Sequence, residues 1–138
     1  MIDLHPEKCN LCNGKVIYTS NAILYGREYG SGKIYYCTKC KAYVSTHKPR
    51  PKEAMGILAN AEMRKLKNEC HEIFDLKWKN QSTSKKRYQA RKNAYRELAK
   101  QLGIKEEECH FGYFDKDMLL ASKRVLENNP YWKKGVSV

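Results

Sequence analysis

Two C-x2-C pairs constrain this chain more than any other feature. Cys9-Asn10-Leu11-Cys12 and Cys37-Thr38-Lys39-Cys40 are separated by 24 residues. Each pair can turn into a knuckle that offers two thiolates, and two knuckles close a tetrahedral shell around one ion. Cys9, Cys12, Cys37 and Cys40 are therefore the expected ligands and Zn2+ the expected ion. Four thiolates leave no open position for water, so the ion is expected to be structural. His5 and His47 flank the pairs as substitutes that four cysteines do not need. Gly14 follows the first pair, where the backbone must turn sharply. A redox C-x-x-C is the competing reading for either pair taken alone, but neither stands at the helix start of a βαβ unit. The segment is poor in apolar residues, so its folding should depend on the ion.

The rest of the chain divides by pattern. Lys15–Ser20, Lys33–Cys37 and Ala42–Thr46 read as short strands, rich in β-branched and aromatic residues. Residues 25–32 contain three glycines and read as a loop. Pro49 and Pro51 break the chain. Beyond them Leu58, Ala59, Met63, Leu66, Cys70, Phe74 and Trp78 recur at mostly helical steps. This predicts a helix starting near Glu53 or Gly56 and ending near Lys79, with Gly56 admitting close packing against the first module. A second helix is expected over Lys85–Leu102, capped by a hydroxyl residue of Ser82-Thr83-Ser84 and closed by Gly103. A third is expected after Asp115, ending at Asn128-Asn129-Pro130. The expected fold class is α+β. Residues 1–48 form a zinc ribbon of short antiparallel strands, 49–130 a small three-helix part, and 131–138 a loose tail.

The charge of +12, from 27 basic and 15 acidic residues in 138, is uneven. Residues 1–52 carry +6, residues 53–101 carry +6, and residues 102–138 carry none. A polyanionic partner would meet the first hundred residues. The chain is too short for a TIM barrel or a Rossmann domain joined to a substrate domain. No apolar run approaches the ~18 residues of a membrane span. The first residues lack the basic and apolar regions of a signal peptide, so a cytoplasmic location is expected, where thiols stay reduced.

Lys85, Lys92, Arg96 and Lys100 are spaced by seven, four and four and share one helical stripe. Lys85, Lys86 and Arg87 stand in the expected first turn, where cations oppose the helix dipole and a phosphate would relieve the conflict. With Arg91, these are the expected phosphate contacts. The competing reading is a solvated face with a misplaced helix start. Of the ribbon's tyrosines (Tyr18, Tyr25, Tyr29, Tyr35, Tyr36 and Tyr43), Tyr25 and Tyr35, beside Arg27, are the candidates for stacking on bases. Packing between strands is the competing role.

Cys70-His71-Glu72-Ile73-Phe74-Asp75 and Cys109-His110-Phe111-Gly112-Tyr113-Phe114-Asp115 resemble each other. Cys70, His71, Cys109 and His110 would make a second metal site if their segments met, and His71, Asp75 and His110 a hydrolytic one. The simpler reading gives His71 a hydrogen bond to Asp75 and puts Cys70 in the core beside Phe74. Walker loops, G-x-G-x-x-G, H-E-x-x-H and nucleophile elbows are absent.

Several stretches stand in a particular order. After the cysteine pairs come Tyr43-Val44, His47 and Gly56-Ile57-Leu58-Ala59-Asn60. Then follow His71-x-x-Phe74-Asp75-x-x-Trp78, Arg91-x-x-Ala94-Tyr95-x-x-Leu98-Ala99 and His110-Phe111-Gly112-x-Phe114-Asp115. This order resembles a family of uncharacterised small zinc-finger-containing proteins of bacteria, phages and mobile elements. The resemblance spans residues 9 to about 126. It implies a zinc ribbon joined to a helical part, supports the four cysteine ligands and supplies no activity.

The expected function is a non-enzymatic, zinc-containing nucleic-acid-binding protein, encoded by a phage or mobile element and working in the bacterial cytoplasm on DNA or RNA. One alternative is an inhibitor of a host defence nucleoprotein, such as an RNA-guided nuclease. Another is a metal-dependent nuclease.

Overall fold

The computed structural model describes residues 2–133. The chain divides into two compact units, Met1–Arg64 and Lys65–Val138. In the first, β1 (Val16–Ser20), β2 (Lys33–Cys37) and β3 (Tyr43–Ser45) form an antiparallel sheet in the order β1-β2-β3. Val16 pairs with Cys37, Tyr18 with Tyr35 and Tyr36 with Tyr43. One knuckle precedes β1 and the other is the β2–β3 connection, so the sheet register brings the cysteine pairs together. Within the β1–β2 connection a single helical turn, α1 (Ala22–Tyr25), precedes the glycine loop and ends at Gly26 with φ +79°. Cys9, Val16, Tyr35, Cys37, Ala42, Val44, Ala54 and Leu58 form the small buried core of this unit.

The first long helix is shorter than its periodicity suggests. α2 spans Ala61–Phe74 and is followed by a 3-10 turn at Asp75–Lys77. Residues 53–60 are instead a bent, non-helical strap held by isolated bridges at Ala54 and Ala59. Ala59 exchanges both backbone hydrogen bonds with Tyr43, and Thr46 bridges Ala54. Leu58 and Ala59 fit a helical pattern but are buried against the ribbon, where β3 offers its free edge to the backbone. Gly56 belongs to this strap. Asn60 then starts α2, its side-chain oxygen accepting the Met63 N–H at 2.9 Å. This pairing is why the first unit runs to Arg64 and not to residue 48.

In the second unit, α2 continues and is joined by α3 (Ser84–Leu102) and α4 (Lys116–Asn128). Thr83 caps α3 by accepting the Lys86 N–H at 3.1 Å, and Gly103, at φ +71°, closes it. Asp115 caps α4 by accepting the Met118 N–H at 2.9 Å. Phe74 is fully buried at the centre of an aromatic cluster, its ring centroid 4.5 Å from Tyr95, 5.3 Å from Phe111 and 5.6 Å from Trp132. Lys123 bonds Glu69 at 3.0 Å and ties α4 to α2. The expected loose tail begins in ordered structure: Pro130–Trp132 is a 3-10 turn, and buried Trp132 donates its indole N–H to Gln101 at 2.7 Å. Residues 134–138 of that tail lie outside the described residues.

Candidate metal centre

The two knuckles are near copies of each other. The Asn13 N–H donates to the Cys9 carbonyl at 2.9 Å, and the Lys41 N–H to the Cys37 carbonyl at 3.0 Å. The Cys9 N–H then bonds the Gly14 carbonyl, and the Cys37 N–H the Ala42 carbonyl, each at 2.8 Å. Asn13 and Lys41 both take the left-handed conformation, at φ +62° and +67°. That conformation costs a non-glycine residue roughly 1–2 kcal/mol, and here it reverses the chain so that both sulfurs of a pair face one point. The copies differ after the turn. A Cβ on Gly14 would lie 2.7 Å from the Lys39 Cβ and 3.1 Å from the sulfurs of Cys12 and Cys37, so only glycine fits there. The matching Ala42 carries its methyl into the core.

The four sulfurs lie within 4.8 Å of one another, Cys9–Cys40 at 3.6 Å and Cys12–Cys37 at 3.4 Å. A tetrahedron with Zn–S bonds of about 2.3 Å has sulfur–sulfur edges of about 3.8 Å, within this spread. Backbone donors surround the sulfurs. Cys9 receives the Leu11 N–H at 3.3 Å and Cys12 the Gly14 N–H at 3.4 Å. Cys37 receives both the Lys39 and Cys40 N–H groups at 3.4 Å. Burial pushes the Cys37 thiol up, but the N–H groups of Cys40 and Lys39, together with hydrogen bonds from the Cys12 and Cys40 thiols, bring it down to about 6. These N–H donors favour at Cys37 the thiolate form that a metal requires, whereas burial holds Cys12 above the ordinary thiol value and Cys40 lies above it despite the Ala42 N–H. The donor set fits Zn2+ held structurally by Cys9, Cys12, Cys37 and Cys40, as the cysteine spacing leads one to expect.

Asn10, between two ligands, is a structural residue that the sequence reading missed. Its side chain accepts the Leu58 N–H at 2.9 Å and donates to the Leu58 carbonyl at 3.0 Å, fastening the strap to the knuckle. Nothing in the spacing signals it, because its partner lies 48 residues away.

His71 and His110 are brought near one aromatic cluster without forming a second metal centre with Cys70 and Cys109. Among the described residues, the four cysteines are the only group of three or more His, Cys, Asp or Glu close enough to share an ion. The His71 Nδ1 lies 3.4 Å from the Asp75 Oδ1, which also accepts the Trp78 indole N–H at 2.9 Å. The His71 ring packs edge-on to Phe111 at 4.7 Å, and the His110 ring lies 5.5 Å from Tyr95. Cys70 and Cys109 are buried, and that burial pushes both thiols up to about 12.

The helix start of α3 is where the basic first turn needs it. Lys85, Lys86, Lys92 and Lys100 are exposed. Arg96 meets Glu106 at 3.6 Å, between side chains that are 57% and 44% exposed, a weak pairing. Two other candidates are engaged. Arg87 donates to the Gln81 carbonyl at 3.0 Å and to the Ser84 hydroxyl at 3.1 Å. The Arg91 guanidinium lies over the rings of Trp78 and Tyr95, at 5.3 and 5.6 Å. The tyrosines divide as well. Tyr35 cannot serve as a stacking platform: it is 7% exposed, and its hydroxyl donates to the Lys52 carbonyl. Tyr25 is half exposed, and so is Tyr29, over whose ring Arg27 lies at 4.7 Å. No described helix is long and apolar enough to cross a membrane.

No curated protein and no solved structure matches the chain. A family model does, over residues 5–129, and its description is a zinc-finger-containing domain. That span takes in both knuckles, the strap and all three long helices, and the chain belongs to this DUF3268 family of zinc-finger-containing domains.

Proposed function

We propose that this chain is a non-enzymatic nucleic-acid-binding protein, in which zinc shapes the ribbon and α3 supplies the contacts to phosphate. The outer face of α3 carries the reading. The helix holds seven basic residues against one acid, Glu97. Lys85, Lys92, Arg96 and Lys100 fall on one stripe, with the buried Ala94 half a rotation away from Lys85. At a rise of 1.5 Å per residue the stripe is ~22 Å long. Four cations on one face repel one another, and the exposed turn Ser84–Arg87 has no acid to complement the dipole. A phosphate backbone satisfies both conditions. The family resemblance supports a phage or mobile-element origin and a bacterial cytoplasmic setting.

The test is anisotropy of a labelled oligonucleotide across salt concentrations. About four phosphate contacts give a log–log salt slope between roughly −3 and −4. Lys85→Glu with Lys86→Glu should weaken binding at every sequence tested. Flat salt dependence, or no response to the pair, refutes the reading. The same exposed stripe also favours a second reading, an inhibitor that blocks the nucleic-acid path of a host nucleoprotein. A stoichiometric protein partner that survives nuclease treatment would select it. A nuclease reading lacks such support, because among the described residues the only group able to hold a metal ion is the four cysteines, which leave no open position on it.

A further inference from the structure

We propose that a groove in the ribbon unit, walled by Tyr25, Tyr29 and Met55 with Lys48 at its rim, seats unpaired bases, so that the favoured nucleic acid is single-stranded. This rests on the nucleic-acid reading and adds a second, base-directed contact to it. The groove has a volume of about 710 Å3, and none of its lining residues is acidic. Tyr25, Tyr29 and Met55 are 50%, 48% and 50% exposed, an unusual concentration of large apolar side chains beside a cation. The rings of Tyr25 and Tyr29 meet edge to face at 5.5 Å. Arg27 lies over the Tyr29 ring and bonds its hydroxyl at 2.7 Å, placing a guanidinium beside the aromatic pair. The nearby carboxylate, Glu28, faces Lys33 at 3.9 Å.

The walls are held in place without a ligand. Asn21 is buried, donates to the Tyr29 carbonyl at 2.7 Å and accepts the Tyr29 N–H at 3.1 Å. Gly26, Gly30 and Gly32 take positive φ values that allow the loop to fold back. The Ser31 and Thr46 hydroxyls bond at 2.6 Å across its base. A fixed aromatic wall loses little entropy on binding, and every base has a face to stack on it. A duplex keeps its bases stacked and offers the groove none. Charge complementarity selects a nucleic acid over an apolar peptide, because the rim is cationic and residues 1–52 carry +6.

The experiment compares three labelled strands of equal length and charge per strand: a single strand, the same strand with abasic sites, and the duplex. Tyr25→Ala with Tyr29→Ala removes two exposed rings, and zinc content with circular dichroism confirms that the variant is folded. The expected result is a loss of about tenfold or more on the single strand, with duplex affinity unchanged. The abasic strand should bind the native protein as weakly as the single strand binds the variant. Equal affinity of the native protein for intact and abasic strands, or no response to the double variant while Lys85→Glu with Lys86→Glu still weakens binding, overturns the groove and leaves the phosphate reading standing. Failure of all three strands to bind at low salt overturns both.

Discussion

The two units reach order by different routes. The ribbon buries few large side chains, and four of its residues meet around a single point as sulfur ligands. The helical unit has no metal cluster among its described residues and packs Phe74, Phe111, Phe114, Leu98, Leu119, Leu126 and Trp132. The same residue type serves opposite ends. Cys37 sits among N–H donors and is drawn toward the thiolate, whereas burial, with Glu69 near Cys70 and Glu106 near Cys109, keeps those two thiols protonated. A cysteine's function here follows from how deep it lies and from the polar groups on its sulfur: Cys70 and Cys109 sit deep in a core, whereas Cys37 has N–H donors aimed at it.

The sharpest way to separate the units is to remove the ion. Structural zinc is worth ~10–16 kcal/mol of binding in small domains, more than the apolar core of the ribbon can replace. Chelation should therefore collapse the ribbon's amide resonances. Both tryptophans, Trp78 and Trp132, belong to the second unit, so indole emission should barely change. Thiol labelling should rise from none to four sites per chain, with Cys70 and Cys109 reacting only after denaturation. Simultaneous loss of indole emission would break the comparison.

Phe74→Ala makes the converse cut. Deleting a fully buried phenylalanine costs ~3–5 kcal/mol, and should lower the melting of the helical unit while zinc content remains one per chain. Gly14→Ala should cost about 1–3 kcal/mol through overpacking, read as weaker zinc retention against a competing chelator. The clash is with the Lys39 Cβ, so a smaller effect would mean that the second knuckle can shift. Asp115→Ala removes the α4 cap and should cost ~1 kcal/mol of helical-unit stability, measured by denaturant titration.

Acid gives the smallest contrast. Burial and then Arg91 hold His110 below its ordinary value. The unfolded chain thus binds that proton more readily, and stability should fall as pH drops through about 6.5. His110→Gln should flatten that slope in the second unit alone. The ribbon should keep its own, steeper acid loss, because protons compete with zinc for four thiolates.

Features written in contiguous residues were the legible ones. The cysteine pairs announced their ligand set because a knuckle is a local turn. Gly103 and Asp115 marked helix ends because capping groups act within one turn. The start of α2 was not legible in the same way. Leu58 and Ala59 match a helical period, but β3 claims the backbone of residue 59 for a bridge. Tyr35 and Tyr25 look alike as letters in an aromatic loop and strand, yet one is buried and the other half exposed.

The order of residues alone dictated a sulfur-bound ion, a cationic helix and the stops that bound it, since each depends on interactions a few residues long. Which tyrosines face water, which arginines are spent on neighbours, and that Asn10 holds residue 58 were settled by how distant segments meet. Those outcomes depend on burial and on backbone groups far apart in the chain, and no local pattern encodes them.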